Sequence, residues 1–286
     1  MSNDGPDYVV ASRQGLYFVN HTRARRVAEG VFFGVAVRGS TLYCFKTAPT
    51  QNVPADKVAG SVVRYERMGE TLSGPVPILT GLDHNGHQLD YFDGTLYLVD
   101  TFNQSILEFD EAGANIKSHP ILPPAVREGP YDAHINSFLV VEDSIYVMLH
   151  NGHRKLPSEI VELDRQFRER RRIVLPSVGC HDIVRLEDGS LLYCDSQSGS
   201  IARDDGFSLK IDELFTRGLA VGGDEIAVGS SFFGARIART LLPGFVTFLD
   251  RGYNRIDRLY LAAAPTQIRR LDGADLSYRG RVLAEN

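Results

Sequence analysis

Three histidines, His87, His134 and His181, stand 47 residues apart along the chain. A regular series of imidazoles has three chemical readings. Neutral imidazole binds Fe, Mn, Zn, Ni or Cu, and three on one face leave positions open for water and substrate. Without a metal, the same groups are acids and bases that titrate near neutral pH, or part of an anion site. The third reading is structural: a repeat position that makes the same hydrogen bond between successive units.

Other residues with useful chemistry fall near the series. Arg217 takes the histidine's place in the next unit, and a guanidinium there suits a carboxylate or phosphate held by two hydrogen bonds. A salt bridge to Asp182, Asp195 or Glu213 is its plainer role. Asp100, Asp182 and Asp195 are candidate acceptors that fix imidazole tautomers, or a fourth metal ligand. Asp100, His150 and Asp195 are the candidate proton carriers. His84, Asn136 and Asp182 join Arg217 as candidate substrate contacts. His84-x-x-His87 and His150-x-x-His153 also read as local ligand pairs, a weak signal off a helix, and His153 with Arg154 falls in a loop at the rim. Cys180 precedes His181, but adjacent strand residues point to opposite faces, so the two do not read as a nucleophile pair. His21 reads as an exposed turn residue.

These residues need elements to bring them together, and the repeat supplies them. One unit runs Gly86–Tyr91, then Thr95–Asp100 after Asp93-Gly94, then Ser105–Asp110. The next runs Ala133–Phe138, Asp143–Met148, Glu159–Asp164 and Arg172–Leu175. A third runs Cys180–Val184, Ser190–Cys194 with Asp195 closing it, and Gly199–Ala202. Val, Ile, Leu and Tyr dominate these runs, which favours strands, and the Asp-Gly pairs favour tight hairpins. Four short strands per 40–50 residues is the period of a propeller blade. Phe33–Val37 with Thr41–Phe45 and Ser61–Tyr65 is an earlier copy. Arg217–Val221 with Glu225–Val228, Phe245–Leu249 and Leu259–Ala262 is a later one. The N-terminal runs, Tyr8–Ser12, Leu16–Val19 and Arg25–Ala28, lack an inner strand, which Gln267–Leu271 supplies. The chain therefore reads as an all-β, single β-propeller domain over residues 1–286. Six blades are expected, with five as the alternative count and an open array of sheets as the competing fold. Strands from both ends share one blade, which removes free sheet edges.

In this arrangement the starts of the inner strands converge on one axial mouth. Phe33, His87, His134, His181, Arg217 and Gln267 form the ring. The ends of the second strands add Asp100, His150 with Asn151, Asp195 with Ser196, and Ser230 with Ser231. The preceding loops add His84, Asn85 and Asp132, and Tyr131 and Phe33 are candidate walls.

Composition narrows the function classes. The 286 residues are 43% hydrophobic and 23% charged, with a net charge of −5, ordinary for a soluble globular protein. An acidic balance gives no support for nucleic-acid binding. The basic run Arg168–Arg172 reads as a solvated outer strand. No apolar run reaches the length of a membrane span, and the polar start lacks the pattern of a secretory signal. Three cysteines without CxxC spacing favour a reducing compartment, so the expected location is cytoplasmic. Phosphate-loop, dinucleotide and Gly-x-Ser-x-Gly motifs are missing.

The segment Phe215–Val221, followed by Val228-Gly229-Ser230 and joined by His134-x-Asn136, resembles a recurrent motif in a largely uncharacterised family of bacterial propeller-like proteins. That resemblance implies a fold and no activity. More distantly, one histidine per inner strand is similar to the layout of carotenoid-cleavage oxygenases, which hold iron with four histidines in a seven-bladed ring. It is also similar to streptogramin lyase and oligogalacturonate lyase, propellers with histidine-containing metal sites. This chain is shorter, offers three such histidines and lacks the full motifs. The expectation is a metal-dependent enzyme acting on a small polar, anionic substrate at the channel mouth, as a lyase, epimerase or hydrolase. His87, His134 and His181 would hold a divalent ion. An iron-dependent oxygenase and a non-catalytic ligand- or protein-binding propeller are the alternatives.

Overall fold

A computed structural model describes residues 5–48, 60–122, 133–222, 224–234 and 242–272. Strands β1 (Tyr8–Ser12), β2 (Gly15–Val19) and β3 (Ala24–Glu29) make up most of the first blade. The second blade is β4 (Val31–Arg38), β5 (Thr41–Thr47), β6 (Gly60–Met68) and β7 (Thr71–Leu82). The third is β8 (Gly86–Phe92), β9 (Thr95–Asp100), β10 (Ser105–Asp110) and β11 (Lys117–Pro120). The fourth is β12 (Ile135–Val140), β13 (Ser144–Leu149), β14 (Glu159–Asp164) and β15 (Glu169–Val174). The fifth is β16 (His181–Arg185), β17 (Leu191–Asp195), β18 (Ser200–Arg203) and β19 (Ser208–Lys210). The sixth is β20 (Phe215–Gly222), β21 (Glu225–Ser231), β22 (Gly244–Asp250) and β23 (Arg255–Leu261). The last described strand, β24 (Pro265–Arg270), is the inner strand of the first blade. It pairs antiparallel with β1, Tyr8 opposite Arg270 and Val10 opposite Ile268. The six-bladed count and the shared closing blade are as the repeat predicts. The loop proposed around Pro49 to Pro54 lies outside the described residues.

Packing explains why so many strands carry buried apolar residues on both faces. Among the described residues, six buried apolar clusters lie one at each blade boundary. Val9 and Ala11 face Val35 and Leu42 of the second blade, while Tyr8 and Val10 face Ala227 and Phe248 of the sixth. The other four boundaries repeat the arrangement. Successive residues of one strand thus serve two different cores, which closes the ring without a polar face until the outermost strands. Those strands are wet: β15 is mostly exposed, and its arginines pair with Glu162, Glu159 and Glu169, the solvated edge expected of that basic run.

Every inner strand is bulged near its start. The register with its partner slips at Phe33, at His87–Gln88, at Asn136, at Asp182–Ile183, at Arg217–Gly218 and at Thr266. Bulges bend a strand and re-aim side chains beside functional sites. Three neighbouring blades also place a left-handed backbone here, at His134 (φ 51°), Asp182 (φ 57°) and Gly218 (φ 90°). Glycine adopts that conformation readily, and His and Asp are among the types that tolerate it.

The bulges tie the blades together. Gln88 donates to the Phe138 carbonyl at 2.7 Å and accepts from the Phe138 N–H at 3.1 Å. Ser137 accepts from the Asp182 N–H at 2.8 Å, and Asn136 donates to the Cys180 carbonyl at 3.0 Å. Asp182 accepts from the Gly218 N–H at 2.8 Å. Gln267 accepts from the Val35 N–H at 2.7 Å, and Thr266 donates to the Phe32 carbonyl at 2.9 Å. Backbone proximity marks a further joint: a Cβ on Gly34 would fall 2.5 Å from the Leu89 nitrogen. Side chains beside the histidines therefore carry the repeated hydrogen bond between blades.

Candidate functional site

With the latches assigned to neighbouring positions, the histidines form a ring of their own. His87 and His134 have centroids 5.0 Å apart, edge to face. His134 lies 5.2 Å from His150 and 5.2 Å from His153. His150 lies 5.0 Å from His181. The arc ends on aromatics, Phe33 at 5.4 Å from His87 and Phe215 at 5.3 Å from His181. The guanidinium carbons of Arg13 and Arg217 lie 4.9 and 5.8 Å from the Phe33 centroid. Five imidazoles from the third, fourth and fifth blades thus share one end of the ring with two guanidiniums.

Hydrogen bonds assign the tautomers. His87 Nδ1 lies 2.8 Å from the Asn85 carbonyl and 2.7 Å from Thr101 Oγ1. Thr101 gives its own proton to the Ile135 carbonyl at 2.7 Å. Nδ1 therefore carries the proton and the Nε2 lone pair is left for chemistry. His181 repeats the device: Nδ1 is 3.1 Å from the Gly179 carbonyl and 2.9 Å from Ser196 Oγ. Thr101 and Ser196 each follow directly on the second strand of their blade. His150 takes that place in the fourth blade, where an imidazole replaces the hydroxyl. Its Nδ1 accepts the Gly152 N–H at 3.1 Å, so the neutral ring carries its proton on Nε2. One site holds imidazoles of both kinds.

Electrostatics keep the two buried histidines neutral. The pKa of His87 is held well below 6.5, first by burial, then by His134, Arg217 and Arg13. His181 is lowered in the same way, by burial, then Arg217, His150, His87 and His134. Arg217 thus acts on both and Arg13 on His87. Asp182 is also buried, and burial raises its carboxyl pKa against the opposing pull of the Gly218 N–H, Arg217 and Arg269.

The remaining sequence candidates separate. Asp100 is drawn into its own turn, accepting from Asn103 Nδ2 at 2.7 Å, with its pKa raised by burial. Asp195 accepts from Ser177 Oγ at 2.7 Å. Asn136 and Asp182 are occupied as latches. His84 lies 3.8 Å from the Asp83 carboxylate. Glu213, offered as a partner for Arg217, pairs with Lys210 at 2.9 Å. Cys180 has its thiol pKa pushed up by burial, to about 12, far from a reactive thiolate. His21 corrects its expectation: it stacks on Phe248 at 4.3 Å and bonds Glu225 at 2.8 Å, because the short β2–β3 turn lays it across the boundary with the sixth blade. Tyr131 and Asp132 lie outside the described residues. Sequence reasoning missed Arg13, which lies in the β1–β2 turn. That turn joins the second and third strands of the closing blade, the loop class that opens on this mouth. It also missed the Thr101 hydroxyl, and it places Ser196 at the mouth without its bond to His181.

The donor chemistry suits a divalent ion, since Nδ1–H bound to a carbonyl is the usual support of a metal-bound histidine. Spacing is the obstacle: among the described residues, no three His, Cys, Asp or Glu side chains are gathered so as to hold one. A depression of about 400 Å³ lies elsewhere, at the turns joining first and second strands of the fourth and fifth blades, beside Glu142, Asp143 and Glu187. No helix among the described residues is long and apolar enough to cross a membrane.

No protein-family model matches the chain, and no curated protein matches it. Solved structures do. The chain is similar to one from the crystal structure of a nidogen/laminin complex, with a TM-score of 0.70 at 10% identity over 93% of this chain and 98% of that one. The WD40 β-propeller domain of Doa1 gives 0.54 at 12% identity, over 93% and 86%. A streptogramin B lyase structure gives 0.52 at 13% identity, over 86% and 91%. At such identities the likeness concerns the fold alone, and that fold is the β-propeller.

Proposed function

We propose that the protein is an enzyme that binds a small carboxylate- or phosphate-bearing molecule at the histidine mouth and moves a proton on it. The observation that carries this reading is the pair of buried imidazoles, His87 and His181, with Nδ1–H committed to backbone carbonyls and Nε2 unprotonated. Arg217 and Arg13 supply the charge that attracts the anion. An anion that neutralises this field raises the imidazole pKa values, so substrate binding itself makes Nε2 a stronger base.

In an elimination, Nε2 of His87 or His181 takes the proton from the carbon beside the carboxylate. The C–H electron pair becomes the double bond, and the leaving group departs with the proton returned from the imidazolium. His150, with Nε2–H, offers a hydrogen bond to oxygen as negative charge develops there. Epimerisation begins with the same proton transfer. Streptogramin B lyase is a lyase by name, but its likeness to this chain reaches the fold only.

The test is solvent deuterium exchange at carbon, followed by NMR with tag-free protein and a panel of hydroxy, amino and phospho acids. Exchange or elimination that is lost in His87→Gln and His181→Gln supports the reading. A complete panel without binding or exchange overturns it. Stoichiometric metal in the purified protein, lost from His87→Ala, His134→Ala and His181→Ala, would replace the metal-free form with a metal-dependent one.

A further inference from the structure

The mouth is not uniformly polar. Among the described residues, the loops joining second and third strands expose Phe102 (63%), Leu156 (44%), Phe232 (46%) and Phe233 (64%). They come from the third, fourth and sixth blades. The other exposed large apolar side chains lie on, or in the turn between, the third and fourth strands of their blades. Apolar side chains exposed together at one end, beside half-buried charge, mark a ligand surface more than scattered ones do.

One part of this rim is continuous with the chemistry. His181 meets Phe215 at 5.3 Å, and Phe215 stacks on Phe233 at 5.1 Å and 22°. A run of rings therefore leads from a buried imidazole to an exposed phenyl face. Arg217, two residues beyond Phe215 on β20, flanks Phe33 together with Arg13. A wholly polar anion such as a sugar phosphate would leave the phenyl faces in water.

We infer that the ligand is an amphipathic anion: a carboxylate whose neighbouring carbon carries both the exchangeable proton and an aromatic group. The carboxylate belongs on the Arg13–Arg217 arc and the aromatic part against Phe215 and Phe233. This rests on the anion-binding part of the proposed function and adds the apolar half of the substrate. Charge complementarity selects the acid, and ring stacking selects a planar partner.

The chain has no tryptophan, so the fluorescence of 2-naphthoate, a non-reacting analogue with the ring and the carboxylate but no proton beside it, reports binding to the protein without that background. Its comparators are 2-naphthalenemethanol, which lacks the charge, and acetate, which lacks the ring and is read by competition. Naphthoate is expected to bind about ten-fold or more tighter than either. Phe233→Ser, at an exposed position, is expected to weaken naphthoate by roughly five-fold and leave acetate unchanged. Arg217→Gln is expected to weaken both acids. Naphthoate binding no tighter than acetate, or unchanged in Phe233→Ser, overturns the inference and leaves the anion reading standing. Acetate and naphthoate both indifferent to Arg217→Gln and Arg13→Gln overturn the anion reading itself.

Discussion

Thr101 Oγ1 lies 2.7 Å from His87 Nδ1 and has already given its proton to the Ile135 carbonyl, so it can only accept from the ring. At His181 the hydroxyl of Ser196 takes the corresponding place, 2.9 Å from Nδ1. Long-range ¹H–¹⁵N spectra are therefore expected to show His87 and His181 with Nδ1–H and His150 with Nε2–H. Thr101→Val should cost about 1–2 kcal/mol in urea denaturation, because it strands a buried carbonyl.

Stability should depend on pH with a definite sign. The folded-state pKa values of His87 and His181 lie below 6.5, so the unfolded chain takes up protons first. Their contribution is intact above about pH 7.5 and falls as pH drops below about 6.5, by up to about 1.4 kcal/mol per pH unit for each histidine. Asp182, with a raised pKa, acts in the opposite sense, its contribution being lost as pH rises from about 3.8 through its folded value. Comparing wild type with His181→Gln by urea denaturation between pH 7.5 and 5.5 isolates the histidine part. The variant should show the shallower slope.

The two arginines should separate by their reach. Arg217 lowers the pKa of both His87 and His181, and Arg13 that of His87. Arg217→Gln is expected to raise both histidine pKa values in an NMR titration, and Arg13→Gln chiefly that of His87. Equal effects of the two substitutions on His181 would contradict this placement.

Gln88 spans two blades through both amide atoms. Gln88→Leu keeps the bulk and strands the Phe138 N–H and carbonyl, so a loss of about 2–4 kcal/mol is expected. Gly34→Ala forces a methyl within 2.6 Å of the His87 carbonyl and should cost about 1–3 kcal/mol, with chemical-shift changes at His87. Chemical denaturation and the histidine spectra check both.

The blade order is readable because most of the inner three strands of each blade are short, largely apolar runs and turns such as Asp93-Gly94 and Asp188-Gly189 separate them. That Gln267–Leu271 supplies the inner strand of the N-terminal blade follows from counting strands, and its register, Tyr8 opposite Arg270, does not. The site was readable only in outline. His87, His134 and His181 advertise themselves by spacing, whereas Thr101 and Ser196 are common residues whose role depends on where β9 and β17 stop. The bulges left no pattern that alternation can detect, and they decide that Gln88 and Asp182 become latches. Asp100 and Asp195 suit proton transfer by type and by their place at the ends of second strands, but Asn103 and Ser177, each within hydrogen-bond reach, hold them first. Arg13 was accessible: once β1 and β2 are the second and third strands of a blade, their turn must open on the mouth.

The closing blade also sets the order of events during folding. β1 and β24 are separated by almost the whole chain, yet β24 supplies Thr266 and Gln267, which fasten the second blade. Five blades can stack as the chain emerges, but the mouth stays incomplete until this strand arrives. The slow step in refolding should therefore be a long-range closure rather than the growth of any one sheet, and the N-terminal strands wait through that interval with a sheet edge open to wrong partners.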